Sequence, residues 1–204
     1  GDHRDLHYPL RRQRQMCIRD RFKLADETLV NAWDHWQNTQ STASRVRTIK
    51  IAIDVKEGFI SIENDGSGIP IEWHSEQKMY VPEMIFGNLL TSSNYDDTKP
   101  RTTGGKNGLG SKIANIFSTK FVVTTVDQGK IYKQTFENNM TTVNPPEITK
   151  TKSKTGGTTI TFYPDLQRFG LTEFSEDFVN FFSTESCFGF LKSKAKPILF
   201  RFKL

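Results

Sequence analysis

The chain has 204 residues, 35% hydrophobic and 25% charged, and a net charge of +5. That suits one soluble globular domain with a full core. No apolar run approaches the roughly 18 residues of a membrane helix, residues 1–21 lack the apolar stretch of a signal peptide, and two cysteines make neither a disulfide framework nor a metal cluster. The positive charge sits at the ends: residues 1–21 hold six arginines against three aspartates, and residues 184–204 hold five basic side chains against Glu185. The remaining stretch has 17 basic and 19 acidic side chains, which argues against a basic nucleic-acid-binding face.

Residues 22–38 read as a helix, with Leu29, Trp33 and Trp36 on one apolar stripe and Glu27, Asn31 and Asp34 on a polar one. Such a polar stripe is ordinarily just a solvated face. From Thr48 to Glu63 the period changes to two: Ile49, Ile51, Ile53 and Val55 alternate with polar residues, and Glu57-Gly58 supplies the turn of a β-hairpin. The hairpin runs into NDGSGIP, Asn64 to Pro70. Pro82 suits the first turn of a short helix reaching about Leu90, and residues 91–107 read as a long mobile loop. SKIANIFS, after Gly110, reads as a helix. Strands follow at Lys120–Val126 and Ile131–Phe136, then a polar loop of about twenty residues. TTITFYP is a further alternating strand, and residues 172–183 resemble a short helix. These elements predict an α+β fold: a two-layer sandwich with helices on one face of a mostly antiparallel mixed sheet.

GGKNGLGSK, Gly104 to Lys112, has the composition of a phosphate cradle but fits neither familiar pattern. A Walker loop places Lys and then Ser or Thr directly after its last Gly; here Ser111 precedes Lys112. A dinucleotide loop needs a third Gly where Ile113 stands. Backbone amides delivered to a helix start nonetheless favour an anion, and Lys106 and Lys112 add charge.

Four features occur in a set order: Glu27-x-x-x-Asn31 on a helix, Asn64-Asp65-Gly66-Ser67-Gly68 after a strand, Gly105–Lys112 before a helix, and Gly157-Thr158 before a strand. This order resembles the GHKL ATPase superfamily and implies its Bergerat ATP-binding fold. Within it, EQKMYVPEMIFGNLLTSSNYDD (Glu76–Asp97), TGGKNGLGSKIANIFSTKF (Thr103–Phe121) and FKLADETLVNAWDH at the front are similar to the ATPase region of eukaryotic-type or viral type IIA DNA topoisomerases. The likeness extends over residues 22–182. It disfavours a repair ATPase of the MutL type or a chaperone, which lack the SSNYDD stretch; a nucleotide-binding module without turnover of its own stays open.

The resemblance implies ATP and Mg²⁺ as ligands and a role for each matching residue. Glu27 matches the general base for the attacking water, and Asn31 the Mg²⁺ ligand. Asn64 reads the adenine edge, with Gly66 and Gly68 letting the backbone lie close to base and ribose. Ser92, Ser93 and Asn94 match lid residues at the ribose and phosphates. Gly105, Lys106, Asn107, Gly108, Leu109, Gly110, Ser111 and Lys112 match the phosphate cradle, and Thr158 a hydroxyl near the adenine. Asp65 departs from the Asn expected beside the base-reading position.

The resemblance further implies a fragment of a homodimeric machine that passes one DNA duplex through another. The parent's transducer domain supplies a lysine to the γ-phosphate, and DNA is met through the parent rather than this domain's core. No membrane association is expected; the location is intracellular, nuclear in a cellular eukaryote, or the host cytoplasm or virion for a viral source. Residues 1–21, whose PLRRQRQMCIRDR resembles translated sequencing-adapter read-through, are expected to be non-native or disordered. Residues 183–204 are expected to be a divergent end, from a frameshift or truncation.

Overall fold

The computed structural model describes residues 24–88, 110–153, 155–174 and 198–203, with backbone only for Ser111 and for 198–203. Helix α1 covers residues 24–39, and β1 (Ile49–Asp54) and β2 (Phe59–Gly66) form the expected hairpin. A two-stranded hairpin, β3 (Trp73–His74) and β4 (Met79–Tyr80), precedes α2 (Val81–Gly87), which has proline in its first turn. Helix α3 (Gly110–Ile116) leads into β5 (Ser118–Asp127) and β6 (Lys130–Glu137).

The stretch read from sequence as a polar loop carries two strands, β7 (Thr142–Val143) and β8 (Glu147–Lys150), both paired with β6. Their short, exposed sequences bury too little to show an alternating pattern. Strand β9 (Gly156–Pro164) lies centrally between β2 and β5. A 3-10 turn at Leu166–Phe169 follows, residues 171–174 are not helical, and 175–197 lie outside the described residues. Strand β10 (Ile198–Lys203) pairs in parallel with β1, from Ile49 opposite Ile198 to Asp54 opposite Lys203. Backbone hydrogen bonding thus places part of the unassigned C-terminal stretch in the sheet. Helix α2 ends three residues before the expected Leu90.

Among the described residues the sheet has eight strands in the order β10-β1-β2-β9-β5-β6-β7, with β8 also on β6; all pairs but β1–β10 are antiparallel. Helix side chains Leu24, Leu29, Trp33, Phe86 and Ala114 share one core with Ile51, Ile53, Ile60, Ile62, Phe121, Val123, Ile160 and Phe162 from the strands. The alternate strand positions carry Lys50, paired with Glu63 at 2.7 Å, and a Ser61–Thr161 hydroxyl pair at 3.0 Å. The observed fold is therefore an α+β sandwich of two layers, with the helices on the sheet's apolar face. Among the described residues no helix is long and apolar enough to cross a membrane.

Candidate functional site

Strand register decides where the helix-facing side of the sheet changes from apolar to polar. Ile62 lies opposite Ile160, which lies opposite Val123. One row further on, Asn64 lies opposite Thr158, which lies opposite Thr125. Because side chains two apart share a face, these three polar residues continue the core rows Ile60–Ile62, Phe162–Ile160 and Phe121–Val123. They form a polar floor at one end of the core, and all three are buried.

That floor is hydrogen-bonded throughout. The Thr125 and Thr158 hydroxyls meet at 3.1 Å, Thr125 donates to the Gly157 carbonyl at 3.1 Å, and Thr125 accepts from the Ile69 amide at 2.8 Å. The Asn64 amide donates to the Asp65 carbonyl at 3.0 Å. Asp65 faces the other way: its Oδ1 accepts from the Arg47 and Thr48 amides at 2.7 and 2.8 Å. A carboxylate taking two backbone N–H groups is a strong fastening, so Asp65 has a structural task that the sequence did not reveal.

The glycines of NDGSG also have a reason in the protein itself. Gly66 has φ +97°, and a Cβ there would come within 2.9 Å of the Ser44 carbonyl and the Val46 amide. A Cβ on Gly68 would collide with the Val126 carbonyl and lie 2.8 Å from Thr125 Oγ1. At both positions the place a Cβ would take is filled mainly by the chain's own backbone.

Above the floor runs α1. Glu27, Asn31 and His35 are one turn apart on its polar face, and all three are half-buried. At one end, Glu27 rests against Gly110, the first residue of α3: a Cβ on Gly110 would fall onto the Glu27 carboxylate and within 3.0 Å of its Cβ. At the other end, His35 Nε2 lies 2.9 Å from the Ser67 carbonyl and 3.4 Å from its hydroxyl. A carbonyl can only accept, so Nε2 carries the proton. Eight residues of helix span about 12 Å. One helix face therefore reaches from the glycine at the start of α3 to the glycine loop over the floor.

Lys112 is only 1% exposed, and burial pushes its ammonium pKa below the ordinary value. Its charge is enclosed within the protein. Of the other expected residues, Ser92, Ser93, Asn94, Gly105, Lys106, Asn107, Gly108 and Leu109 lie outside the described residues, as does the side chain of Ser111. Sequence reading missed His35 and Thr125. The signals were present: His35 follows Asn31 by one turn, and Thr125 is a polar residue in phase with Phe121 and Val123.

A family profile shows what kind of protein carries these residues. The profile described as "Histidine kinase-, DNA gyrase B-, and HSP90-like ATPase" matches residues 20–168. The chain belongs to that family. Within it, this chain corresponds to the ATPase region of eukaryotic DNA topoisomerase II. It is 56% identical over 160 residues to the "Probable DNA topoisomerase 2" of Dictyostelium discoideum and 48% identical over 160 residues to the DNA topoisomerase 2 of Arabidopsis thaliana, each match covering 78% of this chain.

Those matches cover 10% and 11% of the two relatives, so the chain spans about a tenth of their length. The crystal structure of the ATPase region of Saccharomyces cerevisiae topoisomerase II superposes with TM-score 0.72 at 49% identity, covering 78% of this chain and 41% of that one. The ATPase and transducer domains of DNA topoisomerase II from Balamuthia mandrillaris superpose with TM-score 0.76 at 36% identity, covering 89% and 46%. An ATPase of this family binds ATP.

Proposed function

We propose that ATP lies between α1 and the polar floor, adenine on Asn64 and Thr158, phosphates toward Gly110 and Glu27. The observation that carries this reading is the span of one helix face from Gly110 to Ser67. It gives the site a direction: an oxygen-rich floor that can read a base edge at one end, and a carboxylate beside the backbone of a helix start at the other.

Glu27 would take a proton from the attacking water, a role typically worth 10²–10⁴-fold in rate. Asn31, one turn away, would give its amide oxygen to Mg²⁺. The donor set fits that ion. No cluster of three or more His, Cys, Asp or Glu side chains that could hold a metal occurs among the described residues, and Mg²⁺ is commonly held by a few protein oxygens together with phosphate oxygens and water. The bound ion would supply charge neutralisation at the phosphates. Ser92, Ser93, Asn94 and the segment Gly105–Lys112 would complete the ribose and phosphate contacts.

In the longer protein this domain would couple ATP hydrolysis to the passage of one DNA duplex through another. It would do so as a homodimer, meeting DNA through the parent's other domains, in the nucleus of a cellular eukaryote or within the host of a virus. The relatives' names support this reading. The test is turnover in the longer protein. Glu27→Gln should lower kcat by about 100-fold or more with nucleotide affinity nearly unchanged. Asn31→Ala should weaken Mg·ATP binding by about 1–3 kcal/mol. Full turnover in Glu27→Gln would make Glu27 part of an ordinary solvated helix face.

A further inference from the structure

The loop Asn64–Ile69 is fastened from the α1–β1 connection and from strand β5. Asp65 is held by the amides of Arg47 and Thr48, the Ser67 amide donates to the Ser44 carbonyl at 2.9 Å, and the Ile69 amide donates to Thr125. His35 holds it from another direction: its Nε2 donates to the Ser67 carbonyl across 32 residues of sequence. It does so from the helix that also carries Glu27 and Asn31. The imidazole is half-buried, and its place on α1 is fixed by the packing of Leu29, Ala32 and Trp33 into the core.

We infer that His35 is a positioning residue for nucleotide recognition, setting the base-reading loop in register with the helix face that serves the phosphates. The inference rests on the ATP reading above and adds a residue which that reading does not use. Its physical basis is the cost of ordering. A ligand that touches both ends of a site gains from both only if their separation is already correct; otherwise part of the binding energy goes into fixing that separation. The α1–Ser67 hydrogen bond helps to fix it in advance, beside the tie that Thr39 makes to the Val46 amide. The loop keeps its other fastenings without His35, so the loss should fall on recognition more than on folding.

The experiment is calorimetric titration of the chain with Mg²⁺ and a non-hydrolysable ATP analogue, repeated with the GTP analogue, for the unsubstituted protein and three variants. His35→Ala removes the donor and the ring, His35→Leu removes the donor but keeps apolar bulk, and His35→Gln offers a side-chain amide N–H of comparable reach. A fold that tolerates one of Ala and Leu is enough for the comparison. The expected result is about a tenfold loss of ATP-analogue affinity in the donor-less variants, as for one lost hydrogen bond. The preference for the ATP analogue over the GTP analogue should narrow as well, and Gln should restore both. Unchanged affinity and preference in His35→Ala or His35→Leu, with the unsubstituted chain binding normally, would overturn the inference alone. So would equal losses in His35→Gln and the donor-less variants. Failure of the unsubstituted, folded chain to bind would overturn the ATP reading and this inference with it.

Discussion

At the end of the site proposed for the base, Thr125 joins Gly157, Thr158 and Ile69 by hydrogen bonds, Asp65 holds two amides of the preceding segment, and Gly66 and Gly68 press against backbone. At the end proposed for the phosphates, the Glu27 side chain rests on Gly110. The first is built from strand register and backbone, which cannot shift without disturbing the sheet. The second involves a side chain resting on the first residue of a helix, away from the strand register. A perturbation of the cross-strand or backbone-packed contacts at the base end should therefore register as lost stability, and one at the phosphate end as lost chemistry in a protein that remains folded.

Gly68→Ala should show the largest effect on stability. Its new Cβ meets the Val126 carbonyl, and overpacking against backbone costs about 3 kcal/mol. The denaturant midpoint should fall with an unchanged slope; a midpoint equal to that of the unsubstituted chain would mean the loop can slide, and the contrast between the two ends would weaken. Thr125→Val comes next. It deprives the Ile69 amide of its acceptor and should cost about 1–3 kcal/mol, with Thr125→Ser recovering most of that in the same unfolding measurement.

Gly110→Ala should change stability little, since its new Cβ meets first the far end of the Glu27 side chain. By displacing Glu27 it should still remove most turnover in the longer protein. A large loss of stability there would show the phosphate end to be as rigid as the base end.

The smallest effect concerns Lys112 and pH. Its folded pKa lies below the ordinary 10.5 because burial disfavours the charged form. The unfolded chain therefore holds the proton to higher pH, and stability from this group rises as pH climbs through the folded pKa toward 10.5. Denaturant melts of the unsubstituted chain and of Lys112→Met should show a constant difference at lower pH. Within that window the difference should shift in favour of the unsubstituted chain. A difference that stays flat throughout would mean that the ammonium is not penalised by burial.

Much of this fold could be read from period and punctuation. The alternating isoleucines of β1 and β2 gave the hairpin, and the apolar stripe Leu29–Trp33–Trp36 gave α1. Strands β7, β8 and β10 escaped because two are short and exposed and because β10 is placed by pairing with β1, 149 positions away in the register Ile49 to Ile198. At the candidate site, local motifs pointed to Glu27, Asn31, Asn64 and Thr158, but not to what joins them. Thr125 matters through cross-strand neighbours, His35 through a carbonyl 32 residues on, and Asp65 through amides 17 and 18 residues back. Such roles are fixed by tertiary geometry, and a linear pattern carries only their phase.

Whether the nucleotide base sits on the polar floor is decided by titrating the chain and its Asn64→Ala variant with Mg²⁺ and a non-hydrolysable ATP analogue. The unsubstituted chain should bind, and the variant should lose about 1–3 kcal/mol, as for a removed base-reading hydrogen bond, while both stay folded. Equal affinities in the two proteins, or no binding at millimolar analogue by the folded chain, would contradict that placement.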